Sequence, residues 1–234
     1  MLRDVMINYL DTDNEARDVL EALVRSPCLT RVILVEVSYV EGFFTRLPWD
    51  HLIHLEIHPG ASLFGYPEHL TTTAHVLSKA PNLRTFGTTE YSWGRIISTS
   101  SNPIGANLSA SGIVALEIHE WSYARAGRST LSSLILPSLQ HLILNVSDGS
   151  QHELDDVIKA VANSSCRLRS ISLPEVALME ISVERLLCTS NSTLQKISLG
   201  GPILGHSLLE CFMSKIGSSS SERLFPKLEE LDVD

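Results

Sequence analysis

Apolar residues along this chain fall into a short figure, L-x-x-L-x-L, that recurs throughout the sequence. Its clearest copy is Pro137-Ser138-Leu139-Gln140-His141-Leu142-Ile143-Leu144-Asn145. Side chains alternate across a strand, so leucines at the fourth and sixth places share one face and their polar neighbours share the other. The figure therefore predicts a short strand with one buried side and one wet side. Aligned on the first apolar residue, the copies start at Leu2, Leu29, Leu52, Leu83, Ile113, Leu139, Leu168, Leu194 and Leu228. Successive starts are 23 to 34 residues apart, with a mean of about 28. The fourth and sixth places are apolar in every copy but one, where Phe86 is followed by Thr88.

Amphipathic segments connect these strands. Asn14 to Arg25 places Ala16, Val19, Leu20 and Leu23 on one helical face, with Asp11 or Asp13 as the N-cap. Helices are likewise expected over Pro67 to Lys79, Glu153 to Asn163 and Ser207 to Ile216, the last ended by Gly217. Less regular helical patterns lie between Val37 and Leu47 and between Arg125 and Leu134. Pro27, Pro81, Pro137 and Pro226 each stand two places before a first leucine, where proline separates helix from strand. Ser98 to Gly112 and the serine-rich Gly217 to Glu222 read as exposed loops.

A repeat of 20 to 29 residues built on this figure is the signature of leucine-rich repeats. The expected fold is an α/β solenoid, a horseshoe with a parallel sheet on the concave face and helices on the convex face. It would be a single domain over residues 1–234, with about nine degenerate repeats and no polar cap at either end. A doubly wound α/β enzyme also alternates strand and helix, but its central strands are buried on both faces and read as continuous apolar runs. Here strands alternate, as in His54-Leu55-Glu56-Ile57-His58.

Composition narrows the function. The net charge of −9 at pH 7 leaves no basic footprint for nucleic acid or anionic lipid. The first residues lack the basic-then-apolar order of a signal peptide, and no apolar run reaches membrane-spanning length. An intracellular protein, cytoplasmic or nuclear, is expected. Cys28, Cys166, Cys188 and Cys211 have no C-x-x-C spacing and read as buried thiols.

Candidate chemistry is sparse. Gly200-Gly201-Pro202-Ile203-Leu204-Gly205-His206-Ser207 follows the phosphate-binding pattern G-x-x-x-x-G-K-[ST], except that His206 replaces the lysine and Pro202 removes a cradling N–H. His119-Glu120 begins an H-E-x-x-H that fails at Tyr123, and no G-x-S-x-G occurs. His54, Glu56 and His58 alternate on one strand and so share its outward face, with Glu117 and His119 at equivalent places two strands along. Two histidines so spaced can share a metal, but the second pair starts nearly 10 Å away across the intervening strand, so a polar recognition surface is expected. Further outward positions are Arg31, His141, Asn145, Ser170, Ser172, Lys196, Glu230 and Asp232.

The L-x-x-L-x-L strands, with P-x-L starts and irregular helical connectors, resemble the leucine-rich repeat region of fungal F-box-type proteins over essentially the whole chain. The ninth place, usually asparagine or cysteine in better-defined cytosolic families, is Val37, Gly60, Tyr91, Trp121, Ser147, Val176 or Pro202 here. In that family an N-terminal F-box docks a cullin-based ubiquitin ligase and the repeats hold the substrate. No F-box-like segment precedes Leu2, so ligase components are expected as partners only if an F-box is supplied elsewhere. The resemblance implies a non-enzymatic protein-binding scaffold, without cofactor or metal, that takes a protein partner on the concave strip of His54, Glu56, His58, Glu117, His119 and His141. The competing reading is an α/β enzyme with a nucleotide at the Gly200–Ser207 loop or a metal at the His54/Glu56/His58 cluster.

Overall fold

The computed structural model describes residues 3–10, 13–37, 47–59, 77, 79–91, 108–122, 134–145, 151–174, 180–200 and 225–233. The chain divides into two compact units, 1–89 and 90–234. In the first, β1 (Asp4–Leu10), β2 (Arg31–Val37), β3 (His54–Pro59) and β4 (Thr85–Tyr91, which starts in this unit) lie side by side in chain order. Their pairings are parallel. Helix α1 (Asp13–Val24) connects β1 to β2, and one turn of 3-10 helix, Trp49–His51, precedes β3.

In the second unit the main strands are β6 (Ala115–Ser122), β8 (His141–Asn145), β9 (Ser170–Leu173), β10 (Lys196–Leu199) and β11 (Glu230–Val233), again parallel and in chain order. Two short strands, β5 (Leu108–Ser109) and β7 (Leu134–Ile135), pair separately. Helices α2 (Gln151–Ser164) and α3 (Glu180–Thr189) follow β8 and β9.

Every main strand starts two residues after its aligned leucine, and a tight turn explains the offset. The N–H of Leu29 donates to Ser26 O, that of Leu83 to Ala80 O, that of Leu139 to Leu136 O and that of Leu228 to Phe225 O, at 3.0 to 3.2 Å. Pro27, Pro81, Pro137 and Pro226 thus occupy the second position of a four-residue turn, where their fixed φ is already correct and no N–H is needed. The prolines shape the turn as well as ending what precedes it. The aligned leucines are driven inward, and Leu29, Leu52, Leu83, Leu168 and Leu194 are all at most 1% exposed.

Burial then alternates along the strands as the pattern requires. In β8, Leu142 and Leu144 are buried while His141, Ile143 and Asn145 reach solvent; β9 and β10 repeat this with Ile171, Leu173, Ile197 and Leu199. Beneath the sheet of the second unit, α2 contributes Leu154, Val157, Ile158 and Val161. Its last turn supplies Ser164, whose buried Oγ accepts from Leu136 N–H at 2.7 Å and donates to Ala160 O at 2.6 Å. That hydroxyl satisfies a backbone donor that burial would otherwise leave costly.

Several expectations need correction. Glu180–Thr189 is a helix that the pattern did not identify, with Val183, Leu186 and Leu187 buried. Ser98 to Gly112 is not all loop, since it contains β5, and Leu134 belongs to β7 instead of a preceding helix. In β4, Phe86 and Gly87 are buried and Thr88 only half-buried, so strict alternation breaks in the copy whose sixth place is polar. At β11, Leu231 and Val233 are both 37% exposed although their register with Ile197 and Leu199 assigns them to the core side. Of the thiols, Cys188 is exposed and Cys28 and Cys166 half-buried, against the expectation of burial. Except for Leu77 and Lys79, the segment Pro67 to Lys79 lies outside the described residues. So do Cys211, the Ser207 to Ile216 and Gly217 to Glu222 segments, and most of Val37 to Leu47 and Arg125 to Leu134.

Leu142 and Ile197 have no exposed surface. Leu142→Ala and Ile197→Ala should each destabilise the protein by roughly 2 to 5 kcal/mol in denaturant unfolding. A change at both sites of under about 0.5 kcal/mol, the size of an ordinary surface substitution, would show that neither side chain faces a packed core.

Candidate functional site

The outward face of the first unit is set by strand register. Arg31 on β2 stands opposite His54 on β3, which stands opposite Thr85 on β4; the next outward row is Met6, Ile33, Glu56 and Gly87. His54, Glu56 and His58 therefore project in one line along β3, flanked by Ile33 and Val35 on one side and by glycine at 87 on the other.

The three side chains form a closed group. The Nε2 of His54 hydrogen-bonds Glu56 Oε1, and the Nε2 of His58 lies 3.4 Å from Oε2. A carboxylate only accepts, so each Nε2 is the protonated nitrogen that donates. Arg31 adds a guanidinium nitrogen 3.6 Å from Oε1. Burial of Glu56 pushes its carboxyl pKa up, but hydrogen bonds and positive charge from His54 and His58 outweigh this and hold it below the ordinary glutamate value. The carboxylate side chain is 14% exposed, against 20% for each imidazole and 49% for Arg31, so the anion sits beneath a rim of two imidazoles and one guanidinium.

The second unit has its own outward rows. The first runs Ala115, His141, Ser170, Lys196, Glu230 and the second Glu117, Ile143, Ser172, Ser198, Asp232. His119 Nε2 is 2.9 Å from Glu117 Oε1 on the same strand. His141 instead bonds sideways, its Nδ1 lying 2.7 Å from Ser170 Oγ. Lys196 Nζ is 2.5 Å from Glu230 Oε1, and that hydrogen bond holds the ammonium pKa above its ordinary value.

No protein-family model and no curated protein sequence matches the chain.

Of the six sequence-nominated residues, His54, Glu56 and His58 come together in the first unit. In the second, Glu117 joins His119, while His141 pairs with Ser170. Arg31 belongs to the first cluster, although the sequence placed it only among the further outward positions. Its place was readable, because Arg31 and His54 both lie two residues after their aligned leucines. Among the described residues, no group of three or more histidine, cysteine, aspartate or glutamate side chains is arranged to hold a metal ion. No helix among them is long and apolar enough to cross a membrane.

Gly200, the first glycine of the phosphate-loop-like stretch, has a packing reason to be glycine. Its N–H donates to Leu173 O at 2.8 Å, and an added Cβ would stand 2.3 Å from the backbone oxygen of Pro174. Residues 201–207 lie outside the described part of the chain. Gly200→Ala should therefore destabilise the fold by about 1 to 3 kcal/mol, the usual range for overpacking against backbone. An unchanged unfolding midpoint would show that the two segments move apart freely.

Glu56 makes a second prediction, about pH. A carboxyl whose folded pKa is depressed contributes stability that is complete above its unfolded pKa and disappears as pH falls through the folded value. Glu56→Gln should thus be less stable than wild type at pH 7. The gap should shrink as pH drops below about 4, where a glutamate ordinarily takes up its proton. Paired denaturant titrations from pH 7 to pH 3 check this, and a gap that widens in acid would contradict the assigned pairing.

Proposed function

We propose that this chain is a non-enzymatic protein-binding scaffold built as a leucine-rich repeat solenoid. In this reading residues 1–234 form one domain of about nine repeats, a horseshoe whose sheet lines the concave face and whose helices form the convex face. The outward strand positions meet a protein partner, at His54, Glu56 and His58 in the first unit and at Glu117, His119 and His141 in the second. The resemblance to fungal F-box-type proteins makes it a candidate for the substrate-recognition part of a ubiquitin-ligase receptor, with the F-box supplied elsewhere, working inside the cell.

One observation carries the reading. In each unit parallel strands bury their leucine side while keeping a half-exposed polar side, with side chains from successive strands aligned in rows. A parallel sheet is ordinarily covered on both faces. An accessible array drawn from consecutive repeats is the form of surface that repeat proteins use for recognition.

The test starts with affinity capture and identification of a protein partner by mass spectrometry. Its affinity is then compared for wild type and His54→Ala/His119→Ala. We expect a loss of roughly tenfold or more, the effect of truncating central contacts. Unchanged affinity, with binding abolished by substitutions on α2 or α3, would place the partner on the helices instead. Saturable, stoichiometric binding of Mg-ATP or Zn²⁺ by the purified protein would favour an enzyme and overturn the scaffold reading.

A further inference from the structure

We propose that the outward face of β2 and β3 is a pH-gated docking surface for an acidic segment of a partner protein. The segment lies extended, with acidic, apolar and acidic side chains at alternate places, and it binds when His54 and His58 are protonated. The inference rests on the scaffold reading and adds the partner's chemistry and the condition for binding.

Position supplies the first reason. β2 and β3 each have a strand on both sides, so what they expose does not depend on where the chain begins or ends. Arg31 leads the face from β2 at 49% exposed, followed along that strand by half-buried Ile33 and Val35. On β3 His54 and His58 are each 20% exposed, one on either side of Glu56. In register, Arg31 stands beside His54, Ile33 beside Glu56 and Val35 beside His58. Facing side chains of an extended segment also fall at alternate places. An acidic, apolar, acidic order therefore sets its anions at the two histidine rows and its apolar residue on Ile33.

Charge supplies the second. The charged and titratable groups on this face are Asp4 of β1, opposite Arg31, then Arg31 of β2, and His54, Glu56 and His58 of β3. β4 brings only Thr85 and Gly87 opposite His54 and Glu56. With neutral imidazoles one guanidinium stands against two carboxylates, a formal charge of −1. Two imidazolium groups reverse it to +1. Histidine ordinarily makes this change between about pH 8 and pH 5. Each Nε2–H already donates to Glu56, so the added protons go to the Nδ1 atoms, which change from acceptors to donors. Glu56, whose carboxyl stays below the ordinary glutamate value despite burial, remains ionised meanwhile and keeps the rings in place. The whole chain moves the same way, its charge of −9 rising toward zero as nine histidines are protonated.

A basic segment finds less here. Glu56 is the least exposed of the group and already accepts from both imidazoles, with Arg31 beside it. An acidic segment is the occupant that the protonated face complements.

The test uses full-length ¹⁵N-labelled protein and the fluorescein-labelled peptide Ser-Glu-Ser-Leu-Ser-Glu-Ser, whose facing residues read alike in either direction. Denaturant unfolding at each pH first checks that wild type and variants are folded. We expect saturable binding at about pH 5.5, with amide shift changes concentrated at Arg31–Val35 and His54–His58. Affinity should be lower by roughly tenfold or more at about pH 7.5. His54→Gln/His58→Gln, whose amides can still donate to Glu56, should remove that difference although the other seven histidines still titrate. Arg31→Gln should weaken binding at both pH values, and a peptide with lysine for glutamate should show no gain in acid. If a variant does not fold, the wild-type shift changes decide the site. Absence of saturation at about pH 5.5, shift changes elsewhere, or a pH dependence that survives the double substitution would each overturn the proposal. The scaffold reading is decided separately, by the captured partner's response to His54→Ala/His119→Ala.

Discussion

At the start of β2, β3, β4, β8, β9, β10 and β11, one carbonyl near the start of the preceding strand accepts two successive N–H groups. The residue just before those two donors is the aligned leucine. Backbone and side chain thus fix the same register together. A slip of one residue would lose the paired donors and also turn the leucine side of the strand toward water. Burying each such side chain is worth about 1.5 to 3 kcal/mol, and the register repeats that gain strand after strand. Irregular spacing between repeats does no harm, because connectors of different length need only deliver the chain to the same turn.

This explains why the strands were readable in the sequence and some connectors were not. The leucine figure is fixed by local geometry, so its spacing within the strand cannot drift. Helices α1 and α2 were legible because Leu23, and Leu154 with Val157, Ile158 and Val161, sit at helical spacing among polar residues. Helix α3 was obscured by the apolar run Val176-Ala177-Leu178-Met179 before it, and by Ile181 and Val183, whose branched side chains read as readily as strand. The small β5/β7 sheet has only two residues per strand, too few for any period. Leu231 and Val233 show the converse failure. Pattern assigns a side chain to a face, but only a neighbouring element can cover it.

The candidate site was legible as a set of outward residues and not as a set of partnerships. Alternation alone placed His54, Glu56 and His58 on one face. Their closing onto a single carboxylate depends on rotamers and on Arg31 across the strand pair, which requires register. The same holds for His141, which bonds to Ser170 and not to Glu117 or His119. Gly200 is the opposite case. Its motif suggested a phosphate, while contact with Pro174 supplies a local steric reason for the residue.

A parallel sheet with one side uncovered has to keep that side compatible with water, and these units do so by pairing outward groups with one another, along a strand or across to the next. His54 and His58 bind Glu56, His119 meets Glu117, His141 meets Ser170, and Lys196 meets Glu230. The hydrogen bonds to Glu56, Ser170 and Glu230 satisfy polar atoms that a partner would have to desolvate. Binding on this face would therefore exchange one set of hydrogen bonds for another, with the net gain set by how well the new geometry replaces the old. Glu56 is the extreme case. Already contacted from three sides and the least exposed of its group, it would act chiefly by holding the two imidazoles in place, and the imidazole and Arg31 edges would be what a partner touches. Discrimination between partners would then come from matching the placement of those edges, since a misplaced charge or an unpaired imidazole costs more than a well-placed one gains.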